Sequence, residues 1–369
     1  MSVRQNSKIA EIKLYKPAKT IESVIREYGF EPEQIIKLAG NESRFGISPK
    51  VMEALENEKN QFSFYPDVEA TKLREILSGY HHIDKEHFIF GNGSFELISL
   101  IGNAYIEAGD EAVYTDPSFG WYINATLAND GKVIKVPVTE EQEVDVDGIL
   151  DAIHEKTKVI WLCNPNNPTG TLIPWNDLNR LVNETPDSVL IVLDEAYIDF
   201  NEEAYPDTVN LVREHENVIL LRTFSKAYGL ASFRIGYAIA ALDVIEGLNK
   251  VKLPINTSHA AQVAAIASFQ DAEYKDYVVR EINAQKKIYY EAFDRMGFRY
   301  IRSHTNFILV NTGMDGAVLE QEFLKRGIML RSGEAFGPGY KEWLRISIGK
   351  PEDNRKVIRI LEELKGGDI

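Results

Sequence analysis

With 369 residues, 44% of them hydrophobic and 26% charged, the chain is long enough to bury a large core divided between two domains, so a structural fragment is excluded. Acidic residues outnumber basic ones 56 to 41, a formal charge of -15, which gives no general attraction to a phosphate backbone and sets nucleic acid aside as a partner. The opening MSVRQNSKIAEIKLYKP lacks an apolar core, no run of about 18 apolar residues occurs, and the single Cys163 permits no internal disulfide; the expectation is a cytoplasmic protein, off the membrane, with Cys163 a core thiol.

In chain order, Thr20 to Tyr28 is predicted as a short helix stopped by Gly29, and Ile35 to Leu38 as a brief apolar segment. It runs into GNESRFGISP, Gly40 to Pro49, whose Gly, Asn, Ser and Pro content makes a loop. A helical pattern over Pro49 to Glu58 precedes Tyr65-Pro66-Asp67, which by itself is a turn. From about residue 70 to about 240, helical and strand-like segments alternate, the signature of a mostly parallel sheet covered on both faces. Ligands of such sheets bind beyond the carboxyl ends of the strands.

Those ends carry the chemistry. The strand Phe88 to Phe90 ends at GNGSFELISL, where Gly91, Gly93 and Ser94 open a helix whose free amides favour a phosphate. Ala112 to Tyr114 ends at DPSFGWY, placing Phe119, Trp121 and Tyr122 where an aromatic face can lie against a flat ring. Val159 to Leu162 ends at CNPNNPTG with Asn167, and the apolar run Val189 to Leu193 delivers Asp194, Glu195 and Tyr197. A charged pair beside a buried strand is costly unless a cation or hydrogen bonds meet it, so either a structural salt bridge or a site explains it. Asn217 to Leu221 leads into TFSKAYGLASFRIGY, with Ser225, Lys226 and Arg234; Arg234 to Ala240 returns as a further strand.

Singly, each of these is an ordinary turn, core aromatic or surface lysine. Together, five strand ends supply what a phosphorylated pyridine aldehyde requires. A desolvated lysine near other cations can lose its proton close to neutral pH and attack an aldehyde, which assigns Lys226. The helix start, Ser225 and the planar fork of Arg234 suit the phosphate, Asn167 and Tyr197 the ring hydroxyl, and Asp194 the ring nitrogen, whose proton makes the ring an electron sink. The cofactor expected is pyridoxal 5'-phosphate. The histidines have no metal-ligand spacing and no hydrolase or Walker motif is present, so no metal is expected.

Beyond about residue 260, Val278, Ile282, Tyr289, Phe293 and Met296 keep helical spacing. After Gly297 come predicted strands at Asn306 to Val310, Ile328 to Arg331 and Leu344 to Ile348, with helices at Ala317 to Arg326 and Glu352 to Leu364, a small α/β domain. Arg331 and Arg345 lie on its strands, either ion-paired or kept for an anion.

The ordered set LYKPAKTIESV, Asn41-Glu42, Tyr65-Pro66-Asp67, GNGS, NPNNPTG, DEAYIDF, SKAYGLASFRIGY, TNFILV and LRISIG resembles the class I/II pyridoxal-phosphate aminotransferases of fold type I, over nearly the whole chain. Within that family it is most similar to the branch that takes histidinol phosphate as amino donor. The resemblance implies an α/β fold with a mostly parallel sheet in a large domain, residues 46–265, a smaller α/β domain, 266–369, and an N-terminal segment, 1–45, shared between the small domain and dimer contacts. It implies Lys226 as cofactor-bearing lysine and proton shuttle, Asp194 on the ring nitrogen, and Asn167 and Tyr197 on the ring oxygen. Gly93, Ser94, Ser225 and Arg234 would hold the phosphate, and Phe119 would stack on the ring. Arg345 would meet a substrate carboxylate and Arg331 a substrate phosphate, with Tyr15 and Asn41 also in the substrate site. Tyr65 would reach the cofactor phosphate of the neighbouring subunit of a homodimer, and the reaction would pair an amino donor with a 2-oxo acid. The sequence departs from that branch at Arg44, where proline is usual, at Phe95, where an acidic residue is common, and at GEAFG after Arg331, which is closer to aromatic and aspartate aminotransferases. Another amino-acid aminotransferase, or a lyase such as threonine-phosphate decarboxylase, remains an alternative.

Overall fold

The computed structural model describes residues 12, 14 and 19–367. Its strands, in chain order, are β1 (Ile36–Lys37), β2 (Phe88–Gly91), β3 (Glu111–Asp116), β4 (Lys132–Pro137), β5 (Thr157–Cys163), β6 (Leu190–Asp194), β7 (Val218–Thr223), β8 (Gly236–Ala240), β9 (Arg299–Tyr300), β10 (Phe307–Asn311), β11 (Ile328–Met329), β12 (Arg331–Ser332) and β13 (Trp343–Ser347). Seven of them form one sheet in the order β2-β8-β7-β6-β5-β3-β4. Every pairing is parallel except those of β8, which runs against both its neighbours.

The central strands are continuous apolar runs because both of their faces are buried. Side chains alternate across the pleat: Trp161, Val192, Ile219 and Leu221 enter one core, while Ile160, Leu162, Ile191, Leu193 and Leu220 enter the other. Edge strand β4, which the sequence pattern does not announce, breaks this rule. Its KVIKVP is polar or half-exposed at most positions, as an edge strand with one neighbour allows, and so gives no apolar run to detect.

The direction of β8 positions an arginine. Six strands end at the same edge of the sheet, and β8 starts there: Gly236 pairs with Gly91 on one side and Thr223 on the other. Arg234, two residues earlier, is thereby set beside the helix that opens at Ser94.

A second sheet, β12-β13-β10-β9, is antiparallel throughout. Ile328 to Arg331, expected as one strand, divides: β11 pairs in parallel with β1, and β12 pairs with β13. The chain thus changes partners at Leu330, so one apolar run serves two ladders. Through β1 the N-terminal segment joins this part of the molecule, and Val24, Ile35 and Ala39 pack with Leu324 and Met329. The helix Ile21–Tyr28 that supplies Val24 is capped as its sequence dictates, with the Thr20 side chain accepting from the Ser23 amide and Gly29 closing it at φ 74°. The long helix Ala272–Met296 buries Val278, Ile282, Tyr289, Phe293 and Met296 along one side.

Candidate active site

At the edge where the strands end, the helix Ser94–Tyr105 begins directly after β2. Gly93, at φ 73°, turns the chain, and a Cβ there would overlap the Arg234 guanidinium, so a bare backbone is what lets the arginine approach the helix start. Arg234 Nη1 donates to Ser225 Oγ at 3.5 Å and to the Ala231 carbonyl at 3.1 Å, and Nη2 to the Asn92 carbonyl at 3.3 Å. Burial lowers the Arg234 pKa from its ordinary value. Ser94, Ser225, Arg234 and free amides with the helix dipole behind them make a cradle for a doubly charged oxyanion.

Lys226, three residues beyond β7, is half-buried. Its Nζ donates to the Asn41 carbonyl at 3.2 Å and lies 3.5 Å from that of Gly40 and 5.5 Å from the centre of the Tyr197 ring. Burial pushes its amine down to about 8; Glu42 opposes the shift, Arg345 and Arg234 add to it, and Asp194 opposes it. The amine is therefore uncharged in an appreciable fraction near neutral pH.

Asp194 and Glu195, adjacent at the end of β6, point to opposite sides. Glu195 accepts from Arg222 Nε at 2.8 Å and from Thr208 Oγ1 at 2.6 Å, a buried structural ion pair. Asp194 has no cation within ion-pair distance among the described residues; it accepts from the Tyr122 hydroxyl at 2.8 Å and the Ala196 amide at 3.2 Å. Burial pushes its carboxyl up to about 6 despite those bonds. The structural salt bridge therefore explains Glu195, and it leaves Asp194 without a cation among the described residues. A buried carboxylate held by a phenol is a partner in search of a cation, and a protonated pyridine nitrogen is one.

Asn41 ties three parts of the chain together. It has a left-handed backbone, φ 57°, and its polar groups bond outside its own loop: N–H donates to Ser347 Oγ at 3.0 Å, Oδ1 accepts from that hydroxyl at 2.9 Å, and Nδ2 donates to Tyr197 Oη at 3.1 Å. Tyr197 Oη also accepts from Asn167 Nδ2 at 3.2 Å, and Asn167 Oδ1 accepts from Arg345 Nη1 at 2.7 Å. Arg345 Nη2 donates to the Ala39 carbonyl at 2.9 Å, and its guanidinium lies between the rings of Phe307 and Phe336, 5.3 and 5.2 Å from their centres. Arg331 lies directly across the ladder from Arg345, so the two arginines share one face of the small sheet.

Of the residues expected from sequence, Lys226, Asp194, Tyr197, Asn167, Asn41 and Arg345 converge, and Gly93, Ser94, Ser225 and Arg234 converge beside them. Phe119 leans edge-on against Phe95, 5.0 Å between ring centres, and against Tyr122 at 5.5 Å. Tyr65 is 86% exposed, and no described hydrogen bond joins it to this cluster. Tyr15 lies outside the described residues. Sequence reasoning missed Ser347 as an anchor and Tyr122 as the holder of Asp194; the spacing of Tyr122 just past β3, the strand adjoining β5, was the signal for the latter.

These groups fit pyridoxal phosphate: an oxyanion cradle, an amine of lowered pKa, a buried carboxylate lacking a cation, and a phenol and amide able to meet a ring oxygen. Residues 33–361 match the family model described as aminotransferase class I and II. The chain is 39% identical, over 96% of its length and 97% of the relative's, to histidinol-phosphate aminotransferase 2 of Carboxydothermus hydrogenoformans, and 40% identical, over 96% and 92%, to histidinol-phosphate aminotransferase of Moorella thermoacetica. Among solved structures it is similar to histidinol-phosphate aminotransferase from Sinorhizobium meliloti in complex with pyridoxal-5'-phosphate, with TM-score 0.90 and 25% identity, covering 99% of this chain and 98% of that one. A Thermus thermophilus aspartate aminotransferase shares the fold at TM-score 0.83 and 22% identity, covering 99% of this chain and 100% of that one. By its sequence and its architecture, this chain belongs to the class I and II aminotransferases.

Proposed function

We propose that the protein transfers the amino group of histidinol phosphate to 2-oxoglutarate, giving imidazole acetol phosphate and glutamate, with pyridoxal phosphate as cofactor, as a step of histidine biosynthesis. The observation that carries the substrate is the pair Arg331 and Arg345 on one face of β12 and β13. Like charges directly opposite on a sheet repel, and an anionic substrate relieves that repulsion. The donor carries a phosphate and no carboxylate; the acceptor carries two carboxylates. Two guanidiniums of different surroundings serve both, Arg331 meeting the phosphate and Arg345 the acceptor's carboxylate. The names of the similar enzymes support the same reading.

When bound, the cofactor supplies an aldehyde for the amine and a ring that accepts electrons from the substrate α-carbon. The residues do the rest. Lys226 Nζ would take and give back the proton at the substrate α-carbon, which needs an amine poised between its two states. Asp194 holds the proton on the ring nitrogen. Tyr197 and Asn167 donate to the ring oxygen, and Asn167 in turn is fixed by Arg345. The cradle of Gly93, Ser94, Ser225 and Arg234 would hold the phosphate, Phe119 would lie beside the ring, and Asn41 would be on the substrate side.

Mixing the cofactor-loaded protein with single amino donors and following the loss of cofactor absorbance tests the proposal. Histidinol phosphate is expected to react fastest, with no release of carbon dioxide; a faster aromatic amino acid, or carbon dioxide from a phosphorylated amino acid, overturns it. Arg331→Gln is expected to lower kcat/KM for histidinol phosphate roughly ten- to a hundredfold while leaving glutamate far less affected. Equal losses for both would make Arg331 structural.

The reading extends to the assembly. Tyr65 sits in an exposed stretch with Phe62 and Phe64, at 45% and 69% exposure, a surface suited to a second copy. We place Tyr65 on the cofactor phosphate of the partner subunit in a cytoplasmic homodimer whose large and small domains meet near residue 265. Sedimentation at working concentration is expected to show a dimer, and Tyr65→Phe to weaken cofactor retention; a fully active monomer contradicts this.

A further inference from the structure

The site contains one charged group to which amino transfer, as derived from Lys226, Asp194 and the arginines, gives no task. Glu42 follows the Gly40-Asn41 peptide whose carbonyls face Lys226 Nζ. Its carboxylate folds back over that peptide: a Cβ on Gly40 would overlap Oε2, so the glycine leaves the space the carboxylate occupies. Oε1 is paired with Lys37 Nζ at 2.5 Å. Oε2 is buried and has no hydrogen-bond partner among the described residues. One carboxylate oxygen is thus satisfied from the outside, and the other is turned to the Gly40 peptide with no hydrogen bond from any described residue.

We propose that Glu42 is the counter-ion of Lys226, a positioning residue that fixes the charge state of the amine, with Lys37 tempering its strength from the opposite side. The chemistry requires such a group. An amine that takes a proton from carbon becomes a cation in a pocket that already holds Arg234 and Arg345, and the carboxylate of Asp194 is committed to the ring. Around Lys226, among the described residues, lie Glu42 from the loop after β1, Asp194 from the end of β6, Cys163 from β5, Tyr197, Arg234 before β8 and Arg345 on β13. Glu42 favours the charged amine, and the Gly40 peptide against which its free oxygen lies is also the one whose carbonyl is 3.5 Å from Lys226 Nζ. Lys37 Nζ pairs with Glu42 Oε1 from the side away from the Gly40 peptide.

The inference rests on the reading of Lys226 as proton carrier, but its test reads the amine directly and stands whether or not that reading does. Full-length, cofactor-free protein is acetylated with trace acetic anhydride from about pH 6 to about pH 11, and the peptide bearing Lys226 is quantified by mass spectrometry to give the pH midpoint of its reactivity. Glu42→Gln is expected to lower that midpoint by roughly one unit, and Lys37→Met to raise it by roughly half a unit. Opposite shifts from two neighbouring substitutions are a signature that loosening of the loop does not produce, because loosening exposes Lys226 and raises its midpoint in both variants. An unchanged or raised midpoint in Glu42→Gln overturns the proposal, as does an unchanged or lowered midpoint in Lys37→Met.

Discussion

Lys226→Ala is expected to yield a folded protein whose turnover is at least roughly 10⁴-fold below the parent, the loss of both a covalent partner and a general base. Borohydride reduction of the parent is expected to leave the pyridoxyl group on the peptide containing Lys226, and its appearance on another lysine refutes the assignment. The same substitution has a stability signature with a fixed sign. Burial holds the amine at about 8, below its ordinary 10.5, so between those values the unfolded chain binds more protons than the folded one. Stability of the ligand-free parent therefore rises with pH through that window, and the alanine variant lacks the rise. Thermal melts of the two at several pH values check this, and parallel curves contradict a buried amine.

Asp194→Asn is expected to bind cofactor and to lose turnover by roughly 10³-fold, since an amide does not hold the ring nitrogen protonated. Its ligand-free form is expected to be the more stable protein. Burial raises the carboxyl to about 6 from an ordinary 3.8, so the folded state binds more protons than the unfolded between those values. Stability is fully present below the lower value and falls as pH rises through the upper one. By pH 8 the parent has lost about 3 kcal/mol to the buried charge, at ~1.4 kcal/mol per pKa unit. Asparagine carries no such charge and can still accept from the Ala196 amide. The gain should vanish at pH 4 and on adding cofactor to the parent. A variant that melts lower at every pH would mean that Asp194 serves the fold.

The sheet was legible because its central strands are apolar on both faces, and the residues just past them were legible because ligands of such sheets gather there. Lys226, Asp194 and Asn167 needed no long-range information beyond that. What escaped depends on pairing. Edge strand β4 carries no continuous apolar run, and the division of Ile328 to Arg331 is set by which strand lies alongside each half. Ser347 was invisible as an anchor for Asn41 because nothing local in either stretch announces a contact across 306 positions. Glu195 and Asp194 look alike in sequence; only the pleat separates them, sending one to Arg222 and the other to Tyr122.

The bond between Asn41 and Ser347 also has a meaning in time. Chains are made at about 5 to 20 residues per second, so roughly 15 to 60 s separate the synthesis of these two residues. In that interval the seven strands through Ala240 are all available, with Lys226 and the phosphate cradle among them. The loop that faces the lysine can meet Tyr197 and Lys226 in that interval, but it lacks its two bonds to Ser347, and the Ala39 carbonyl lacks Arg345, until β13 leaves the ribosome. On the proposed roles, a nascent chain would have the means to hold the cofactor before it had the means to hold a substrate, and the order in which the site became competent would follow the order of its residues.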